Sequence, residues 1–222
     1  METINIRDFN NHKINESQVI KRILSGEKEL YEILVRRNNQ KLYRVIRGYL
    51  KDDGEIEDIM QDTYVKAFTK LHQFKLESTF STWLIRIGIN ESLARLKDKG
   101  KLYHLNEQSN NFSNTILEIP DNRQLNPQDK MIRNEAKQIL EDAIDSLDIK
   151  YKTVYILKKV EEMSLKEISV VLDITVANVK IRLYRSKEML KEKLYEVTND
   201  KNIFEFGFSR CDRITENVMK DI

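Results

Sequence analysis

The stretch that decides the fold of this chain runs from Ser164 to Leu194 and reads SLKEISVVLDITVANVKIRLYRSKEMLKEKL. Its apolar residues recur at helical spacing, stop over Asp173-Ile174-Thr175, and then recur again. The Thr175 hydroxyl stands where it can accept a hydrogen bond from the N–H groups that open the next helix. The pattern therefore predicts two short helices joined by a tight turn. The inward residues are Leu165, Ile168 and Leu172 in the first helix, and Val179, Leu183 and Leu190 in the second.

The second of these helices is basic on its outer face. Residues 176–193 contain six Lys or Arg against two Glu, whereas residues 135–173 contain six Lys against nine carboxylates. Phosphates supply much of the affinity of DNA-binding modules, so this change of sign favours a helix-turn-helix that reads DNA. A solvated amphipathic hairpin is the alternative that the segment alone leaves open. Lys166 and Glu167 are predicted to face water in the first helix; the outward residues of the second are Asn178, Lys180, Ile181, Tyr184 and Arg185.

Composition points to a helical protein without a metal or redox centre. The chain has 222 residues, a formal net charge of +2, 33% charged residues, two prolines and six glycines, which leaves room for two small domains. The single Cys211 excludes an internal disulfide, the three histidines are scattered, and no phosphate-binding glycine loop occurs, so no cofactor is expected. Neither a membrane-spanning run nor a signal peptide is present, and a cytoplasmic location without membrane insertion is predicted.

The first hundred residues show helical periodicity that predicts one compact bundle. In the fourth predicted helix Trp83, Ile87 and Ala94 are taken as the inward stripe. The predicted helices begin near Ser17, run from about Leu30 to Tyr49, from about Glu55 to Leu71, and from about Thr79 to Asp98, with breaks at Ser25-Gly26 and at Lys51 to Gly54.

A polar segment separates this bundle from the helix-turn-helix. Residues 100–127 lose all periodicity and hold both prolines, which is typical of a linker. Helical patterning resumes at Gln128, and a further helix is predicted at about Lys150 to Val160. After Lys193, the alternating Phe204, Phe206 and Phe208 indicate either an extended docking segment or a strap that fills the core. The predicted division is 1–16 tail, 17–99 helical domain, 100–127 linker, 128–196 helix-turn-helix domain and 197–222 extension.

Two blocks of sequence together carry a family likeness. The first is DIMQDTYVKAF at 58–68, followed by STFSTWLIRIGIN at 78–90; the second is Ser146-Leu147 and Tyr151, continuing to VKIRLYRSK at 179–187. In content, order and spacing they resemble regions two and four of the extracytoplasmic-function group of bacterial sigma factors, the initiation subunits of RNA polymerase. The resemblance implies an all-α protein with two small helical domains, a region 2 bundle and a region 4 helix-turn-helix, joined by a flexible linker.

The resemblance also implies partners and sites in the first domain. Core RNA polymerase would dock on Asp58, Gln61 and Asp62, and the domain would bind the melted single strand of the minus-ten promoter element. Trp83 is expected to pack rather than to stack on bases. An anti-sigma factor that covers the DNA-binding faces is a further expected partner. The loop assigned to a base pocket is Lys75, Leu76, Glu77, Ser78 and Thr79, and the strand contacts are assigned to Arg86, Asn90, Arg95 and Lys97.

In the second domain the resemblance implies a reader of the duplex minus-thirty-five element. Arg185 could pair bidentately with guanine, and Ile181 could contact a thymine methyl. The chain departs from the family pattern at Ser169, Asp173, Asn178 and Ile181, so the promoter sequence does not transfer. The assigned residues are Asn178, Lys180, Ile181, Arg182, Tyr184, Arg185 and Lys187.

The prediction is therefore a promoter-recognition factor that performs no covalent chemistry. A one-component transcriptional regulator is the runner-up, and it would need a ligand pocket or a dimer interface within residues 1–100. An enzyme is the third class, for which the only candidate groups are the carboxylates from Asp52 to Asp62.

Overall fold

The computed structural model describes residues 15–103 and 127–198, together with residue 219. Across these ranges the chain forms helices and no strand, as the sequence predicts. The expectations for the N-terminal tail, most of the linker, Cys211 and the three alternating phenylalanines fall outside the described residues. The helices are α1 Glu16–Leu24, α2 Tyr31–Arg47, α3 Asp53–Thr69, α4 Phe80–Tyr103, α5 Pro127–Asp145, α6 Ile149–Tyr155, α7 Leu165–Leu172 and α8 Val176–Thr198.

Helices α1 to α4 enclose one apolar core with Phe80 at its centre. The Phe80 ring is fully buried and meets Tyr31 edge-on, with the ring centroids 6.5 Å apart. Trp83 is half-buried and lies against Phe74 at 5.3 Å and Phe80 at 5.9 Å, so its predicted packing role is confirmed. This cluster fixes the start of α4 and with it the preceding loop.

Helix ends differ from the sequence predictions by a few residues. Asp52 caps α3, because its Oδ1 accepts a hydrogen bond from Glu55 N at 2.9 Å. Asp53 and Gly54, predicted to belong to the break, are the first residues of that helix. Helix α4 runs to Tyr103 rather than to Asp98.

Ala94 is exposed, so its prediction as an inward residue of α4 is wrong. The reason is that α4 packs on two sides, against α2 and α3 and also against α7. A stripe drawn for one packing surface therefore misplaces the helix by part of a turn. The buried side chains of α4 are Phe80, Thr82, Leu84, Ile85, Ile89 and Ser92.

The helix-turn-helix forms from α7 and α8. Ser164 and Glu167 make a reciprocal capping box at the start of α7, so Glu167 is half-buried rather than facing water as predicted. Asp173 ends α7 with φ +53°, a left-handed conformation that aspartate tolerates and that explains how this residue occupies a position usual for glycine. Thr175 Oγ1 accepts from Asn178 N at 3.2 Å, which confirms the predicted cap.

A π-helical turn connects α6 to the helix-turn-helix. It spans Ile156–Val160, so that the predicted helix to Val160 is present with a change of geometry in its last turn. Lys158 Nζ donates to the Met163 carbonyl at 3.0 Å and closes the connection that follows.

The two helical units touch directly along what we call the interdomain seam. The two units approach closely at Gly48, because a Cβ at this position would be 2.8 Å from Ile156 Cδ1. No feature of the sequence predicts this contact. The apolar seam joins Val45, Ile85 and Ile89 of the first unit to Val154, Ile156, Leu157, Met163, Ile168, Val171 and Val179 of the second.

Ion pairs and one hydroxyl hydrogen bond also cross the seam. The Asp145 carboxylate forms an ion pair across the seam with Arg47 Nη2 at 3.0 Å. Within its own unit it forms a second ion pair, with Lys152 Nζ at 3.2 Å. Burial acts to raise the pKa of Asp145, but the charges and hydrogen bonds of Lys152 and Arg47 outweigh it and hold that pKa below its usual value. Thr82 Oγ1 donates to Glu167 Oε1 at 3.3 Å.

For Glu161 the effect of burial on the pKa outweighs the effect of the neighbouring charge. Its side chain is 2% exposed and accepts from Arg44 Nη1 at 3.3 Å. Burial raises the pKa of Glu161 above 4.5, and Arg44 offsets this only in part. Near neutral pH the ionised Glu161 carboxylate therefore lowers the stability of the folded protein.

We expect Glu161 to contribute a gain in stability as the pH falls from neutral. A raised folded-state pKa means that the folded protein takes up the Glu161 proton at a higher pH than the unfolded chain, so stability increases as pH falls through that pKa. Asp145 acts in the opposite direction, and its contribution is lost only at lower pH, as pH falls through its depressed pKa. Chemical denaturation at a series of pH values from neutral downwards should show this contribution as a difference between the wild type and Glu161→Gln. An identical slope in both proteins would contradict this assignment.

Candidate nucleic-acid and polymerase interfaces

The outer face of α3 carries the predicted polymerase-binding residues. Asp58, Gln61 and Asp62 are all exposed and follow one another at helical spacing on one side. Among the described residues, none of the three side chains makes a hydrogen bond or an ion pair within the protein. Val65, one turn further on, is 57% exposed and extends this face with an apolar surface. We call these four residues the α3 face; it offers negative charge and an apolar contact to a partner.

The loop before α4 is exposed and contains a strained residue. Of the five residues assigned to a base pocket, Ser78 is half-buried and the others are exposed. Leu76 has φ +58°, a left-handed conformation that is uncommon for a bulky side chain. Thr79 Oγ1 lies 2.9 Å from Thr82 Oγ1, which ties the end of the loop to the first turn of α4.

Three of the four strand contacts assigned to α4 lie together. Arg86, Asn90 and Lys97 are exposed and follow at intervals of four and seven residues, which places them on one side of the helix. We call them the polar stripe. Arg95 is half-buried and lies nine residues, or about two and a half turns, beyond Arg86. The structure therefore does not bring Arg95 together with the other three.

Helix α8 exposes five of the seven residues assigned to duplex reading. Ile181 is 54% and Tyr184 66% exposed, values that are high for large apolar or aromatic side chains. Arg185 Nη1 donates to Tyr151 Oη at 3.3 Å, and this hydrogen bond lowers the pKa of Tyr151. The guanidinium is thus held against α6 in the absence of DNA. The five residues, named the recognition face, are Lys180, Ile181, Tyr184, Arg185 and Lys187.

The remaining two residues, Asn178 and Arg182, lie on the side of α8 nearest the first unit. Arg182 Nε donates to Asn178 Oδ1 at 3.0 Å, and both side chains are half-buried. Burial raises the pKa of Tyr49 to about 12, while Thr153 and the Arg182 charge lower it, which places Arg182 near the seam. Asn178 and Arg86 line one open groove together with the turn of the helix-turn-helix. Parts of both predicted DNA-binding surfaces therefore meet in this groove.

Sequence reasoning missed the seam residues and Leu93. The capping box at Ser164 and Glu167 had a readable signal, since serine followed three residues later by glutamate is typical of a helix start. The sequence carries no comparable signal for the seam residues Arg47, Asp145 and Glu161, because each looks like an ordinary surface charge. Leu93 is 46% exposed on α4, although the predicted inward stripe of this helix includes its neighbour Ala94.

Two family models match the chain. "Sigma-70 region 2" matches residues 34–102, which run from the first turn of α2 to the last turn of α4, and "Sigma-70, region 4" matches residues 137–190, which include α7 and most of α8. The ECF RNA polymerase sigma factor SigW of Bacillus subtilis is 30% identical over 180 residues, which cover 80% of this chain and 96% of SigW. The ECF RNA polymerase sigma-E factor of Haemophilus influenzae is 28% identical over 187 residues, or 82% of this chain and 96% of that protein.

Solved structures agree on the fold. The sigma factor RpoE of Bartonella quintana, in complex with the anti-sigma factor NepR, aligns with a TM-score of 0.58 at 20% identity, over 72% of this chain and 93% of RpoE. CnrH in complex with the cytosolic domain of CnrY aligns with a TM-score of 0.56 at 23% identity, over 79% of this chain and 94% of CnrH.

A two-unit helical protein with a basic helix-turn-helix belongs to the DNA-binding transcription factors. The family models and the relatives show which group of these factors it is. The chain belongs to the ECF RNA polymerase sigma factors. The resemblance seen in the sequence is confirmed, and the protein directs core RNA polymerase to promoters in transcription initiation. Within the described residues no helix is long and apolar enough to cross a membrane.

Proposed function

We propose that the α3 face binds core RNA polymerase, the loop 75–79 and the polar stripe hold the melted minus-ten strand, and the recognition face reads the minus-thirty-five duplex. The observation that carries this proposal is the separation of the surfaces. An acidic and apolar face lies on α3, whereas exposed cations with no internal acidic partner among the described residues line α4 and the start of α8. Opposite charges suit a protein partner on one side and phosphates on the other.

Each DNA surface has groups suited to its form of DNA. Arg86 and Lys97 can follow phosphates, and Asn90 between them can donate to and accept from a base edge. Arg185 on α8 has the planar donor pair that recognises guanine in the major groove. These roles are of binding only, so the proposal includes no covalent step, and the protein acts where RNA polymerase acts, in the cytoplasm. The domains are proposed as 17–99 and 128–196.

The seam has a consequence for promoter binding. Elements centred at positions −10 and −35 lie about 25 base pairs apart, which is about 85 Å along B-DNA at about 3.4 Å per step. In the structure Arg86 and Asn178, from the two DNA-binding surfaces, line one groove. The seam must therefore open before both elements are bound at once. An anti-sigma factor, the remaining proposed partner, would stabilise the form in which the two units stay in contact along the seam.

A comparison of two sets of variants tests the assignment of surfaces. Asn90→Ala should reduce open-complex formation while core binding stays unchanged, because Asn90 is exposed on α4 and is not one of the residues of the α3 face. Asp58→Lys with Asp62→Lys should instead weaken core binding by roughly tenfold, since it reverses the charge offered to the partner. Core binding is measured by fluorescence anisotropy and strand opening by permanganate reactivity.

The controls separate misfolding and the rival function from this proposal. Equal loss of both properties in either variant would indicate a folding defect, and the circular dichroism spectrum would show it. Transcription in vitro with core enzyme on a promoter library should start RNA chains selectively. A regulator would instead shift a duplex site in a gel without core enzyme, and initiation no more selective than that of core alone would overturn the proposal.

A further inference from the structure

An apolar side chain interrupts the polar stripe on α4. Leu93 follows Asn90 by three residues and precedes Lys97 by four, so the three side chains share one side of the helix. Leu93 is 46% exposed and belongs to none of the three clusters of packed apolar residues. The core of the protein therefore does not account for a leucine at this position.

We propose that Leu93 contacts a base of the melted minus-ten strand and favours thymine at one position. This inference rests on the proposed function, because it assumes that the strand follows the polar stripe. Asn90 and Lys97 are about 10 Å apart along the helix axis, which matches about three stacked nucleotides. A strand that contacts Asn90 with a base edge and Lys97 with a phosphate passes over Leu93.

The chemistry of leucine decides which base is favoured. A leucine side chain neither donates nor accepts a hydrogen bond, so it distinguishes bases only by the apolar surface they present. Thymine alone among the four bases carries a methyl group, and contact with that methyl is a known apolar form of base discrimination. The polar neighbours fix the position of the strand, and Leu93 adds the preference for a methyl group.

The test uses holoenzyme assembled from this protein and core polymerase, with promoter duplexes that carry a pre-melted bubble of randomised non-template sequence. Wild-type holoenzyme should enrich thymine at one or more positions. Leu93→Ala should lose the enrichment at a single position and keep it elsewhere. Deoxyuridine at that position, which lacks only the methyl group, should weaken wild-type binding by about fourfold and leave the Leu93→Ala holoenzyme unaffected.

Leu24→Ala is the matched control. Leu24 ends α1, is 52% exposed, and is not a residue of α4, so its truncation removes the same atoms and leaves every side chain of the stripe unchanged. The control should retain the wild-type preference at every position. Unchanged thymine enrichment in Leu93→Ala, a uniform loss at all positions, or equal sensitivity of both holoenzymes to deoxyuridine would overturn the inference. Failure of the wild-type holoenzyme to enrich any sequence would instead overturn the proposed function.

Discussion

Replacing Phe80 with alanine is expected to lower the free energy of unfolding by about 3–5 kcal/mol. The Phe80 ring is fully buried, and its centroid lies within 6.5 Å of the rings of Tyr31, Phe74 and Trp83. Truncation removes the apolar burial and leaves a cavity between α2, α4 and the loop that carries Phe74, which the surrounding aromatic rings cannot fill without moving. Urea denaturation followed by the fluorescence of Trp83, the single tryptophan of the chain, measures the loss.

Phe80→Leu is the control for this experiment, because it keeps most of the volume and should cost less than about 1.5 kcal/mol. The same pair tests how the loop 75–79 is held. Phe80 directly follows this loop, so binding to bubble DNA should fall with the alanine variant and remain near normal with leucine. Equal stability of the two variants would show that the aromatic cluster does not support the core.

Replacing Arg185 with alanine should cost about 1–3 kcal/mol at a cognate minus-thirty-five element and relax its specificity at one base pair. The guanidinium is exposed on α8, and among the described residues its hydrogen-bond partner is Tyr151 Oη at 3.3 Å, so it can exchange this hydrogen bond for one to a guanine. Binding of the holoenzyme to duplexes with each base pair substituted in turn measures the change. An unchanged specificity profile would remove Arg185 from the recognition face.

Two further variants separate the effect of positive charge on α8 from the effect of how Arg185 is positioned. Lys187→Ala should weaken binding to all sequences alike and reduce the salt dependence by about one counterion, as expected for a phosphate contact. Tyr151→Phe removes the hydrogen bond to Arg185 but leaves the cation in place, so specificity should be retained. Loss of specificity in Tyr151→Phe would mean that Arg185 acts only when α6 orients it.

The parts of the fold that sequence could predict depend on local physics. Helix starts and turns follow from caps and spacing, and Thr175 behaves as predicted because a hydroxyl at this position satisfies an N–H group that the helix leaves open. The exposed residues of the recognition face follow from the period of one helix packed on one side. The α3 face was found in the same way, with the resemblance needed to give it a partner.

The parts that could not be predicted depend on contacts between distant segments. Ala94 was misplaced because α4 packs on two sides, and the second side exists only once α7 is in contact. Arg182 was grouped with the duplex-reading residues, but its side chain is half-buried and its charge acts on Tyr49 of the other unit. Arg47 and Asp145 are 98 residues apart in sequence, and nothing near either residue indicates the other.

The π-helical turn at Ile156–Val160 lets the second unit carry one more residue after α6 than an unbroken α-helix would hold. Such a turn has one residue more than the α-helical turn it replaces, yet both complete about one revolution. Deleting a single residue there should therefore restore ordinary α-helical winding and leave the downstream residues facing nearly the same way relative to α6. The length of the chain at this point can thus change by one residue while the helix-turn-helix keeps its direction.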